Sequence, residues 1–153
     1  MTPQEFIESI ASAAVDSAKR TKIPASFTIA EGALESGWGA SGLYKEAKNI
    51  FGVKVYPSWN RDVLCMPTKE CIEGRWETVD AKWCKYDSYL DCIDDHARFL
   101  CNEPRYTACF AHPYSGIEFA IEVQKAGYAT DPDYADKIGS IIRQHGLSKY
   151  DAS

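Results

Sequence analysis

Apolar positions recur at helical spacing along most of the chain and alternate in only one stretch. Phe6, Ile7, Ile10, Ala14 and Ala18 follow Thr2-Pro3-Gln4-Glu5, a capping box with proline at the first helical position, and predict a helix over about residues 3–19. Pro24 opens a second helix, whose face of Phe27, Ala30, Ala33 and Leu34 ends at Ser36-Gly37. Residues 49–56 are short and apolar, and Pro57-Ser58-Trp59-Asn60 reads as a loop. Two strands are expected at 63–70 and 75–86, joined by Glu73-Gly74. Ser88 and Asp91 cap a helix with Leu90, Ile93, Ala97 and Leu100 on one face and Tyr89, Cys92, His96 and Phe99 beside them. Being apolar most of the way round, it is expected at the centre of the fold. A short helix after Pro104, one capped by Ser115 and Glu118 that stops at Gly127, and a last one from Asp131-Pro132 to Gly146 complete the pattern. The expected architecture is a single, mainly α domain over residues 1–153 with one small β-hairpin lobe.

Composition narrows the function. A hydrophobic content of 45% with 25% charged residues is that of a folded globular protein, which excludes a disordered chain. The net charge of -5, with no cluster of Lys and Arg, excludes a nucleic-acid surface. No apolar run approaches the roughly 18 residues that span a bilayer, so membrane insertion is not expected. The start, MTPQEFIES, has neither the basic nor the apolar region of a signal peptide.

All six cysteines lie between Cys65 and Cys109, and the sequence does not choose among their pairings; reduced or partly paired thiols are the expectation. Cys92 and His96, at i and i+4, make one ligand pair with no second pair to complete a zinc site, so no metal is expected.

Candidate chemistry centres on ALESGWGAS, residues 33–41. Glu35 stands where a helix ends and a glycine-rich turn begins, so its carboxyl feels the negative end of the helix dipole, and the Trp38 indole is expected to strip water from it. Both effects favour the protonated acid near neutral pH, as a donor to a leaving oxygen requires. Glu31, one turn earlier, reads as a fold-stabilising partner and His96 as a satisfied core histidine.

Several blocks in order carry a resemblance: ALESGWGAS, KNIFGVK (48–54), TKECIEGRWETVDAKWCKYDSY (68–89), DDHARFL (94–100) and AGYATDPDYADKI (126–138). Together they resemble the glucosaminidase domains of glycoside hydrolase family 73, over about residues 3–147. The resemblance implies a lysozyme-like helical fold and hydrolysis of the β-1,4 bond after N-acetylglucosamine in peptidoglycan glycan strands, without a cofactor. It sets Glu35 at the general acid, Glu70 at a second carboxylate on the hairpin and Tyr128 at a tyrosine lining the site. Trp38, Asn49 and Phe51 fall in blocks around the cleft, and Trp59 and Tyr86 are candidate sugar contacts.

Glycoside hydrolysis uses one carboxylic acid and a second group that stabilises the cation or activates water; the substrate's 2-acetamido group can also assist, which leaves the stereochemical outcome open. A lytic transglycosylase or muramidase would use the same acid, and a glycan-binding module would keep the fold without turnover. The implied setting is the cell wall, with the chain acting as a monomer. Cys71 beside Glu70, and Cys84 before Lys85-Tyr86-Asp87-Ser88, depart from the family pattern, and a Cys65–Cys71 pair would stiffen the lobe that carries Glu70.

Overall fold

The computed structural model describes residues 1–111 and 115–151. In chain order the elements are α1 (Pro3–Thr21), α2 (Ala25–Ser36), α3 (Gly42–Ala47), β1 (Val63–Ile72), β2 (Arg75–Cys84), α4 (Tyr89–Asn102), a 3-10 helix (Pro104–Ala111), α5 (Gly116–Lys125), α6 (Tyr134–Gln144) and a final 3-10 turn (Leu147–Asp151). The mainly helical architecture with one hairpin is as the periodicity predicts. Its caps are also legible: Thr2 Oγ1 accepts from the Glu5 amide, Ser88 Oγ from Asp91 and Ser115 Oγ from Glu118.

The central position belongs to α2. Every residue from Ala25 to Ala33 is buried, whereas the helix expected at the centre, α4, leaves Phe99 exposed and buries Cys92, Ile93, Ala97 and Leu100. The reason lies in side-chain size. Ala25, Ser26, Ala30, Gly32 and Ala33 let neighbouring backbones approach α2 from all sides. The tightest approach is that of α5, where a Cβ on Gly116 would stand 2.0 Å from Ser26 Oγ.

Pro24 gives α2 no side-chain cap. The C-terminal turn supplies one instead: the Asp151 carboxylate accepts from the Ser26 amide at 2.9 Å and from its hydroxyl.

The hairpin is antiparallel, and Glu73 and Gly74 both adopt positive φ in its turn, as a tight two-residue connection requires. Leu64, Met66, Thr68 and Glu70 share its partly covered face, opposite Trp83, Ala81, Val79 and Glu77. Cys65 and Cys71 lie on the other face, six residues apart on one extended strand. That spacing separates them by about 20 Å, far beyond the reach of a disulfide. All six cysteines are free thiols, so no Cys65–Cys71 staple stiffens the lobe.

Two short elements escape the periodicity. Helix α3, capped by Ser41, and the turn at Leu147–Asp151 are each about one turn long, too short for an apolar repeat to show.

Candidate active site

The left-handed turn after α2 decides where its last residues point. Gly37, Trp38 and Gly39 all have positive φ, and the Trp38 amide bonds back to the Ala33 carbonyl at 2.9 Å. This swings the indole onto Phe6 and His145, at ring-centroid distances of 5.9 and 4.7 Å, and away from Glu35. Trp38 does not line the groove, so the desolvation expected from it has other sources. Leu34, Phe51, Val53, Phe99 and Tyr128 form the apolar wall of a groove of about 690 Å³ into which Glu35 faces.

Glu35 itself is exposed at this wall. Its carboxyl is nevertheless held above the ordinary carboxylate range, first by partial desolvation and then by the negative charge of Glu31; His96 opposes the rise.

Beneath it lies a buried polar cluster. Glu31 is 1% exposed, with one oxygen 2.8 Å from His96 Nε2 and the other accepting from the Tyr134 hydroxyl. The Tyr128 hydroxyl is 2.8 Å from the same Nε2. An ionised carboxylate offers no proton, so the Nε2 proton goes to Glu31, and the Tyr128 hydroxyl stands against the same nitrogen. Burial pushes the Glu31 pKa up, but His96, Tyr128 and Tyr134 together draw it below the ordinary value. Tyr128 and Tyr134 are pushed well above the usual phenol range by burial beside that anion.

His96 is therefore more than a core histidine. It lines the groove, with the Phe51 ring stacked on it at 4.4 Å. The fixed spacing of Glu31 and Glu35 is visible in the sequence, but the pairing of Glu31 with His96, 65 residues away, has no local signal.

The other expected residues have distinct places. Asn49 is fully buried: its Nδ2 donates to the carbonyls of Val53 and Cys84, both at 2.9 Å, and its Oδ1 accepts from the Val53 amide. It shapes the segment that presents Phe51 and Val53 and does not itself reach the groove. Phe51 and Tyr128 are groove residues.

Trp59 and Tyr86 belong to a neighbouring cluster, their rings 5.3 Å apart, with the Arg61 guanidinium 4.6 Å over Trp59. Tyr86 is buried and donates to Asp95, leaving Trp59 as the one that lines a second cleft with Tyr56, Ser58 and Arg98. A third cleft joins the two, sharing Val53 and Phe99 with the Glu35 groove and Tyr56, Ser58 and Arg98 with the Trp59 cleft. The result is one long trench across α4.

Glu70 is absent from the groove lining and stands on the covered face of the hairpin, directly opposite Glu77. The Lys54 ammonium, 2.9 Å away, pairs with it. Lys54 follows Val53, so this ion pair links the hairpin carboxylate to the segment that forms the groove wall. Among the described residues no group of three or more His, Cys, Asp or Glu side chains is arranged to hold a metal ion.

A mainly helical body with a carboxyl on the wall of a groove and a hairpin lobe beside it is the architecture this chain shares with glycoside hydrolase domains of known structure. The chain belongs to the glucosaminidase family: the family model described as mannosyl-glycoprotein endo-beta-N-acetylglucosaminidase matches residues 11–147. It is 38% identical to the exo-glucosaminidase LytG of Bacillus subtilis, over 97% of this chain and 53% of that protein. With the peptidoglycan hydrolase FlgJ of Salmonella typhimurium it shares 35% identity over 92% of this chain and 46% of the relative. A C-terminally truncated glycoside hydrolase domain of that FlgJ superposes with a TM-score of 0.82 at 34% identity, covering 95% of this chain and 98% of the other. The chain thus spans about half the length of the curated relatives it matches.

Proposed function

We propose that this protein hydrolyses the glycan strands of peptidoglycan at the β-1,4 bond after N-acetylglucosamine, with Glu35 as general acid. The observation that carries this reading is the raised proton affinity of Glu35 on the wall of the groove. A carboxyl whose proton affinity is raised keeps its proton to higher pH than an ordinary one and can deliver it to the departing glycosidic oxygen. Glu70, which stands outside the groove lining on the hairpin, serves as the second carboxylate if the lobe moves towards the site, and Tyr128 borders the reacting sugar.

The trench favours cleavage within a strand. It continues past the Glu35 groove towards Trp59, a partly buried ring that lines the far cleft and would offer an aromatic edge to a sugar. The family description names an endo-acting enzyme and the Bacillus relative an exo-acting one; the open continuation of the trench supports the former. The site of action is the cell wall and the working form a monomer. No helix among the described residues is long and apolar enough to cross a membrane.

Digestion of purified wall followed by reducing-end analysis tests the proposal. The expected products carry N-acetylglucosamine ends; muramic or anhydromuramic ends would assign the chain to the muramidases or transglycosylases. Glu35→Gln is expected to lower turnover by roughly 10²- to 10⁴-fold with an unchanged circular dichroism spectrum. Wall binding without cleavage, identical in the two proteins, would make it a glycan-binding module.

A further inference from the structure

Glu31 is a fully buried carboxylate for which the reaction outlined above has no use. It lies one helical turn before Glu35, on the same face of α2, a spacing that brings side chains within about 5–6 Å at Cβ. It receives donors from two separate parts of the chain, His96 from α4 and Tyr134 from the start of α6, and the Tyr128 hydroxyl, from the loop before α6, rests on His96 Nε2. A buried carboxylate with two converging donors and a third polar group behind one of them is built to stay ionised.

His96 and Tyr128 also line the groove; Glu31 fixes the orientation of His96, and through it the position of the Tyr128 hydroxyl. We propose that Glu31 is a positioning residue for the proton donor: an internal anion one helical turn below Glu35 that disfavours a second negative charge there and locks His96, and with it Tyr128, into the groove wall. The proposal rests on the reading of Glu35 as general acid.

The charges that Glu35 meets come from each element around the groove. Helix α2 supplies Glu31, beneath the groove, and α4 supplies His96; the loop between α5 and α6, with α6 itself, supplies Tyr128, Asp131, Tyr134 and Lys137. The segment of Phe51, Gly52 and Val53 supplies no titratable side chain. Lys137 is paired with Asp131, 2.5 Å apart, whereas Glu31, one turn from Glu35 on α2, has His96 rather than a lysine or arginine as its partner. Its partner His96 opposes it with a positive charge when protonated, so the pair sets the balance at Glu35.

The direction of the effect follows. A general acid works only while protonated, so activity falls on the alkaline side as Glu35 ionises. Removing the anion below it makes Glu35 ionise at lower pH.

The test is a carboxyl-carbon NMR titration of Glu35, its signal assigned by its loss in Glu35→Gln, in the unmodified chain and in Glu31→Gln. It is run beside the pH profile of kcat/KM on soluble wall fragments. Glutamine keeps the shape of Glu31, and His96 can change tautomer so that Nε2 accepts from the amide. The Glu35 midpoint in Glu31→Gln is expected to fall by about one pH unit, a tenfold change in proton affinity, with the alkaline limb of kcat/KM moving by the same amount. A midpoint that stays or rises overturns the proposal.

If Glu31→Gln does not fold, His96→Gln serves, since it keeps a donor for Glu31 and can carry no charge. Its Glu35 midpoint is expected at or above that of the unmodified chain, and a fall overturns the proposal. Should the unmodified chain cleave no wall fragment, the hydrolase reading fails, while the NMR titration still decides the electrostatic one.

Discussion

Glu35 ends the most enclosed helix of the domain, whereas Glu70 rides a two-stranded ribbon with one face open to solvent. The acid is placed by the core itself. Glu31, Phe51, His96 and Tyr128 are held by buried hydrogen bonds and ring contacts that also hold the fold together. Backbone hydrogen bonds anchor the hairpin to the body near its base, where Cys84 N bonds Val53 O at 3.1 Å and Val55 N bonds Lys82 O at 3.0 Å. Towards the tip, Glu70 faces a like charge on Glu77, relieved by Lys54, and Trp76 is 74% exposed. Chemistry and stability are therefore coupled in the body and separable in the lobe.

The sharpest test of that separation is Glu70→Gln. If Glu70 stabilises the cation or activates water, turnover is expected to fall on the order of a hundredfold, at the low end of general acid–base contributions. Thermal unfolding should not move, because an exposed ion pair such as Lys54–Glu70 contributes only about 0–1 kcal/mol. Reducing-end release and a melting curve on the same sample measure both. Undiminished turnover would leave the 2-acetamido group as the second participant and reduce the hairpin to a lid.

In the body the expected outcome is reversed. Tyr134→Phe removes one donor from a buried carboxylate and is expected to cost about 1–3 kcal/mol, read from denaturant unfolding. The effect should depend on pH. Glu31 is held below its reference value of 4.5, so its ionised form stabilises the fold above that pH, and this contribution is lost as pH falls through the lowered native value. The difference between Tyr134→Phe and the unmodified chain should shrink in acid. A constant difference across that range would mean that Tyr134 acts through packing alone.

The same contrast explains what the sequence could and could not disclose. Helix starts at Thr2, Ser88 and Ser115 and the turn at Glu73-Gly74 are local devices, and the structure carries each where the residues put it. Glu35 was legible for the same reason, as a carboxylate at a helix end. Its surroundings were not. Trp38 is three residues away in sequence, yet the positive φ angles of Gly37 and Trp38 turn the indole towards Phe6. His96, far away in sequence, reaches the cluster because α4 packs its Ala97 and Ile93 face inward and thereby presents the adjacent side chain to Glu31. Asn49 and Tyr86 have residue types suited to binding sugars, but burial commits both to holding loops.

The smallest expected effect concerns the thiols, and it bears on whether the lobe is as weakly held as its contacts suggest. Cys65 and Cys71 are exposed and belong to one strand, in register with Lys82 and Trp76, so while β1 is paired along its length they cannot meet. Cys84, Cys92 and Cys109 are buried, and burial raises the pKa of each thiol, with Cys92 pushed up to about 12; none is poised to form the reactive thiolate. Cys65→Ser with Cys71→Ser, and reductant added to the unmodified chain, are each expected to leave turnover unchanged and the melting temperature within the shift of about 0.5 kcal/mol typical of surface substitutions. A loss of turnover on reduction that the double variant reproduces would mean that β1 folds back to bring the two sulfurs together. The ribbon would then be clamped rather than free, and Glu70, like Glu35, would owe its position to a rigid frame.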